Sequence, residues 1–82
     1  MKIDLDNLYA IDINITEEQS FRLILGCKEN EEPNLEKVEP HIREWSNETE
    51  IKTGKSLVRA LRLKGFVAFT DSQLNKYRRN NA

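Results

Sequence analysis

One cysteine and one histidine are all that this 82-residue chain offers to thiol or imidazole chemistry. Cys27 alone cannot form an intramolecular disulfide or a multi-cysteine zinc site, the staples on which small secreted domains rely. It reads instead as a small apolar packing residue. His41 has no second ligand nearby and reads as a surface or helix-start residue rather than a metal ligand or general base. No segment approaches the roughly 20 apolar residues of a membrane span, and the opening MKIDLDNLYA has no signal-peptide apolar stretch. A soluble, cytoplasmic protein is the expectation. Internal repeats of solenoid length and low-complexity tracts are also missing. Gly54-Lys55-Ser56 ends like a phosphate-binding loop, but the position of its first glycine holds Thr49, and Ser46 to Lys52 supplies no buried strand. Glu17, Glu18, Glu29, Glu31 and Glu32 are abundant without forming an acid/base dyad. So short a chain also leaves little room for an enclosed small-molecule pocket. The expectation is one small, non-enzymatic domain with no catalytic residue, metal or cofactor.

The chain is rich in charge, and the charge is sorted. Residues 1–51 hold 13 acidic and five basic side chains, a net of −8. Residues 52–82 hold eight basic side chains and one acid, Asp71, a net of +7. The overall −1 conceals two opposed poles, and such asymmetry is a signature of an interaction surface.

Hydrophobic spacing supplies the elements. Ile11, Ile13 and Ile15 alternate with Asp12 and Asn14 as in a half-buried strand, and Ile3 and Leu5 alternate likewise. Thr16 to Gln19 has capping-box spacing, which predicts a helix from about Glu17 to Lys28 with Phe21, Ile24 and Leu25 on one face and Gly26 in its last turn. Lys28 to Pro33 is a polar loop. Leu35, Val38, Ile42 and Trp45 form a helical stripe that Pro40 interrupts, so a turn followed by a helix from Pro40 to about Asn47 is expected. Thr53 is the expected N-cap of a helix over 54–64, with Gly65 as the left-handed residue beyond it. Phe66 to Phe69 suits a short strand. Thr70 and Gln73 repeat the capping box before a helix from Asp71 to about Tyr77, and 78–82 reads as a frayed tail. Trp45, Phe66 and Phe69 read as core. The predicted fold is mainly α with a short β component, a small winged-helix-like (helix-turn-helix) domain.

One helix carries the functional signal. At about 100° per residue, with Lys55 at zero, Arg59 falls at about 40° and Arg62 at about −20°, whereas Ala60, Leu57 and Leu61 occupy about 140° to 240°. Burying the apolar arc turns the three cations outward together. Helix, polar connection, helix and short strand is the order of a winged helix-turn-helix. Thr53, Lys55 and Ser56 would then approach phosphates or base edges, and Arg59 and Arg62 would contact guanines or phosphates. Lys52 before the helix, and Lys76, Arg78 and Arg79 after it, add to the field, with strand 66–69 and the basic helix as a wing.

Residues Thr53 to Phe66 resemble the short helix ending in Leu-x-x-x-Gly-Phe in the winged-helix tails of phage and plasmid primase proteins. Basic residues tend to follow that Gly-Phe, whereas Val67-Ala68-Phe69 follows here. The resemblance implies a DNA-binding module from a mobile element, without a catalytic partner domain. Two alternatives stand beside DNA. The cations could be an ordinary solvated helix face, or the chain could be an inhibitor or adaptor that engages a basic protein through Glu29, Glu31 and Glu32. The acidic half could also engage the basic pole of another copy, giving a homo-oligomer.

Overall fold

The computed structural model describes residues 3–15, 17–50 and 52–80. Three strands and three helices follow one another as β1 (Tyr9–Asn14), β2 (Ser20–Gly26), α1 (Leu35–Glu48), α2 (Gly54–Leu63), β3 (Val67–Phe69) and α3 (Asp71–Asn80). The strands form one antiparallel sheet in the order β1-β2-β3. Helices α1 and α2 cover one face of it, and α3 with the N-terminal residues Ile3, Leu5 and Leu8 covers the other.

The central strand explains this layering. Leu23 and Leu25 of β2 point to the first face, where they meet Val38, Trp45, Leu57, Val58 and Leu61. Ile24 points to the second face and meets Phe69 and Leu74. On β1, Ile11 stands opposite Leu23 and Ile13 opposite Phe21, so the isoleucines share the first face with them. Alternation along each strand thus feeds two apolar layers at once.

The fold is therefore not mainly α, and it is not a winged helix. Residues 20–26 are a strand where a helix was expected, because a central strand buried on both faces reads as a continuous apolar run rather than an alternating one. Phe21, Ile24 and Leu25 match a helical stripe by coincidence of that run. The capping box assigned to this helix opens on Thr16, which lies outside the described residues. Ile15 N–H donates to the Gln19 carbonyl at 2.9 Å, closing a hairpin instead. Gly26, read as a weak helical turn, closes β2 where an added Cβ would lie 3.0 Å from Val67 Cγ1 and 3.1 Å from Leu8 Cδ2. Close approach of a neighbouring strand is what a strand glycine marks. β3 pairs with β2 and runs directly into α3, so no hairpin wing follows the basic helix. The alternation at Ile3 and Leu5 yields a single bridge, Ile3 to Lys28.

Helix α1 starts five residues earlier than expected. Asn34 caps it, its Oδ1 accepting from Lys37 N–H at 3.1 Å. Pro40 sits inside the helix. Its missing donor frees the Glu36 carbonyl, and Glu36 and Pro40 are both exposed, so water can satisfy that oxygen. Val38 before the proline and Trp45 after it are both buried, so the core anchors the helix on either side of Pro40.

Helix α2 begins as expected at Gly54, with the Thr53 hydroxyl accepting from Ser56 N–H at 3.1 Å. It closes in a Schellman arrangement: Phe66 N–H donates to Leu61 O at 3.1 Å and Gly65 N–H to Arg62 O at 3.0 Å. Gly65 has φ of +91°, the left-handed region that glycine enters without Cβ strain. The second capping box is complete. Gln73 N–H donates to Thr70 Oγ1 at 3.2 Å, and Thr70 N–H donates to Gln73 Oε1 at 3.0 Å. Helix α3 runs through Asn80, three residues past the expected end.

Candidate nucleic-acid interface

Burial of Leu57, Val58 and Leu61 fixes the rotation of α2, and Lys55, Arg59 and Arg62 are exposed on its outer side. Lys55 and Arg62 stand seven residues apart, which is about 10 Å along the helix axis at 1.5 Å per residue. That span matches about three rises of a nucleic-acid strand at 3.4 Å each.

Arg62 is held in place. Its Nε donates to the Ala68 carbonyl at 3.0 Å, and its guanidinium carbon lies 5.2 Å from the centre of the Phe69 ring. The bond satisfies an edge carbonyl of β3, and the ring contact adds a cation–π attraction. One donor of the guanidinium is used this way. The remainder of the group lines a groove of about 250 Å³ between α2 and α3, shared with Phe69, Gln73, Lys76, Tyr77 and Asn80. Gln73, Lys76, Tyr77 and Asn80 fall on one side of α3, three or four residues apart. The lining holds two cations, two amides and two aromatic rings, and no carboxylate.

The other grooves differ in kind. Between α1 and α2, a groove of about 330 Å³ includes Glu44, Glu48 and only one cation, Lys64. One of about 440 Å³ beside Cys27 sets Lys28 and Lys37 against Glu31 and Glu32. A third, of about 380 Å³, lies on the other side of Arg62 and is mostly apolar. Of these four grooves, the α2–α3 groove alone pairs cations from two elements without an acid in its lining.

The remaining residues assigned from sequence divide. Lys52 is half-buried just before the cap, and Thr53 is the cap itself. Ser56 turns inward, accepting from Trp45 Nε1 at 2.9 Å, so its hydroxyl anchors α1 to α2 rather than facing outward. On α3, Arg79 lies about 60° from Lys76, but Arg78 lies about 160° away, at the rear of the helix. Gln73, Tyr77 and Asn80 were missed in the sequence, although their spacing around Lys76 is visible there. Among the described residues, the ion pairs Asp12–Arg22 and Glu39–Arg43 lie within the first 43 residues, and none joins a first-half carboxylate to a cation of α2 or α3.

His41 is half-buried inside α1, its ring 5.3 Å from that of Phe66. Its Nδ1 lies 3.9 Å from Glu44 Oε2 and has no hydrogen-bond partner among the described residues. Cys27 is buried beyond β2, with its thiol donating to the Glu31 carbonyl at 3.2 Å. Burial raises its pKa, and the charges of Asp4, Glu31 and Glu32 push it the same way, so the unreactive thiol form dominates. No group of three or more metal-ligating side chains occurs among the described residues, and no helix among them is long and apolar enough to cross a membrane. In comparisons with known proteins, no family model, curated protein or solved structure matches this chain.

Proposed function

We propose that this protein is a non-enzymatic DNA-binding protein that holds the phosphate backbone along α2 and in the α2–α3 groove. Lys55 and Arg59 supply the first contacts, Arg62 and Lys76 the second set, and Arg79 an outlying charge. Gln73 and Asn80 offer neutral donors to the same phosphates or sugars. The observation that carries the reading is the α2–α3 groove, where two cations from separate elements meet amides and aromatic rings with no carboxylate. This reading needs no wing: α3 takes the flanking place.

Salt dependence is the direct test. Four phosphate contacts imply a slope of about −3.6 in log K against log salt, an affinity loss of about 150-fold between 50 and 200 mM. Fluorescence anisotropy with a labelled duplex measures it. Arg59→Ala should make the slope shallower by about one, whereas Arg78→Ala and Arg22→Ala should leave it nearly unchanged. Absence of binding at low salt, or equal effects of all three substitutions, overturns the proposal.

A second reading, a protein-binding adaptor, is favoured by the α1–α2 groove. There Leu63 is 80% exposed beside Trp45 and Ala60, with Glu44 and Glu48 on the opposite wall. It requires that reversing Glu44 and Glu48 abolish capture of a basic partner while leaving DNA affinity equal or higher.

A further inference from the structure

The two edges of the sheet are built differently. β3 is three residues long, lies against α2, and has an edge carbonyl occupied by Arg62. β1 is six residues long, pairs with β2 without a bulge from Tyr9 to Asn14, and has no strand on its outer side among the described residues. It has none of the proline, lysine or glycine that blunt an edge, and its one charge, Asp12, is paired with Arg22 of β2. Of the symmetric antiparallel registers, only those centred on Ile11 and on Asp12 pair five of the six β1 residues. Pairing centred on Asp12 would set the two Asp12 carboxylates opposite each other. Centring on Ile11 sets Ile11 against its own copy, Tyr9 against Ile13 and Ala10 against Asp12.

We propose that β1 pairs antiparallel with β1 of a second copy of this chain, about a two-fold axis at Ile11, to give a continuous six-stranded sheet. The pairing supplies backbone partners to both exposed edges. It covers Tyr9, which is 54% exposed, with the partner's Ile13, and it extends the apolar layer of Ile11 and Ile13 across the axis. Asp12 enters the interface already paired to Arg22, 3.7 Å away on β2. Because β1 and β3 are opposite edges, the two α2–α3 grooves end up at the outer ends of the dimer. The two β3 strands stand five strand spacings, about 24 Å, apart. The dimer therefore does not depend on the DNA-binding proposal and does not occlude its site.

The register makes the test specific. Ala10 is exposed, so its replacement leaves the monomer core intact. In this dimer each Ala10 faces Asp12 of the other copy, and the contact occurs twice. Ala10→Asp brings two pairs of like charges together and should weaken the dimer by roughly tenfold, while Ala10→Lys brings opposite charges together and should tighten it several-fold. Sedimentation equilibrium of the full chain from about 10 μM to about 1 mM measures the constants, with thermal melts at the lowest concentration checking that both variants fold. Opposite shifts of the two variants support the interface. A wild-type chain that stays monomeric throughout, or two variants that shift the constant in the same direction, overturns it.

Discussion

Arg62 performs two jobs that a single conservative substitution can separate. Its Nε bond to the Ala68 carbonyl contributes about 1 kcal/mol, as typical intramolecular hydrogen bonds do. The contact with Phe69 adds about 0.5 kcal/mol, the lower figure applying because the side chain is exposed. Arg62→Ala should therefore cost about 1.5 kcal/mol, a melting-temperature drop of roughly 6–12 °C for a domain of this size. Arg62→Lys keeps the charge but has no donor at the Nε position and no planar face to lay on Phe69. It should lose about 1 kcal/mol of stability while retaining the wild-type salt slope for DNA, whereas Arg62→Ala should also make that slope shallower by about 0.9. Thermal unfolding by circular dichroism and anisotropy titrations at three salt concentrations read the two effects apart. Wild-type melting of Arg62→Lys would refute the edge-capping role. Equal loss of slope in the lysine and alanine variants would refute the phosphate role.

Gly65→Ala should destabilise the protein by about 1 kcal/mol, and Gly65→Asn by about half as much. Nothing lies within 4 Å of an added Cβ, so the cost is purely conformational, and urea midpoints measure it. Cys27 should resist a disulfide reagent at neutral pH until the protein is unfolded. Its pKa is raised in the folded state, so the folded form retains a proton that the unfolded form releases above its ordinary value of 9.0. Stability should thus be full below that pH and fall as pH rises through the window between the two values. Cys27→Ala should flatten that decline in pH-dependent urea midpoints.

Local chemistry was the legible part of this chain. Thr53, Gly65, Thr70 and Gln73 act within a few residues of themselves, so their spacing alone placed both ends of α2 and the start of α3. The period of β1 was equally clear, because one face of that strand remains wet and its isoleucines alternate with polar residues. The helix expected at 17–28 failed for the converse reason. Residues 23–27 are buried throughout, and a strand covered on both faces has no polar period to betray it. The start of α1 differs because the sequence reading takes Pro40 as a boundary and does not read Asn34 as a cap, although Pro40 frees only an exposed carbonyl that water can reach.

The candidate site divides in the same way. The amphipathic period of α2 suffices to put Lys55, Arg59 and Arg62 on one outward face, because an apolar arc must turn inward and the opposite arc must then turn out. No period reveals that Ser56 is turned inward by Trp45, that Arg62 is pinned by Ala68 and Phe69, or that Lys76 shares its groove while Arg78 does not. Those outcomes depend on how α1 meets α2 and on how α2, β3 and α3 settle together on β2, contacts between elements that no single helical period encodes. Helix faces and caps are consequences of the chain's own geometry over one or two turns. The meeting of two helices across a sheet edge exists only once the whole core has closed.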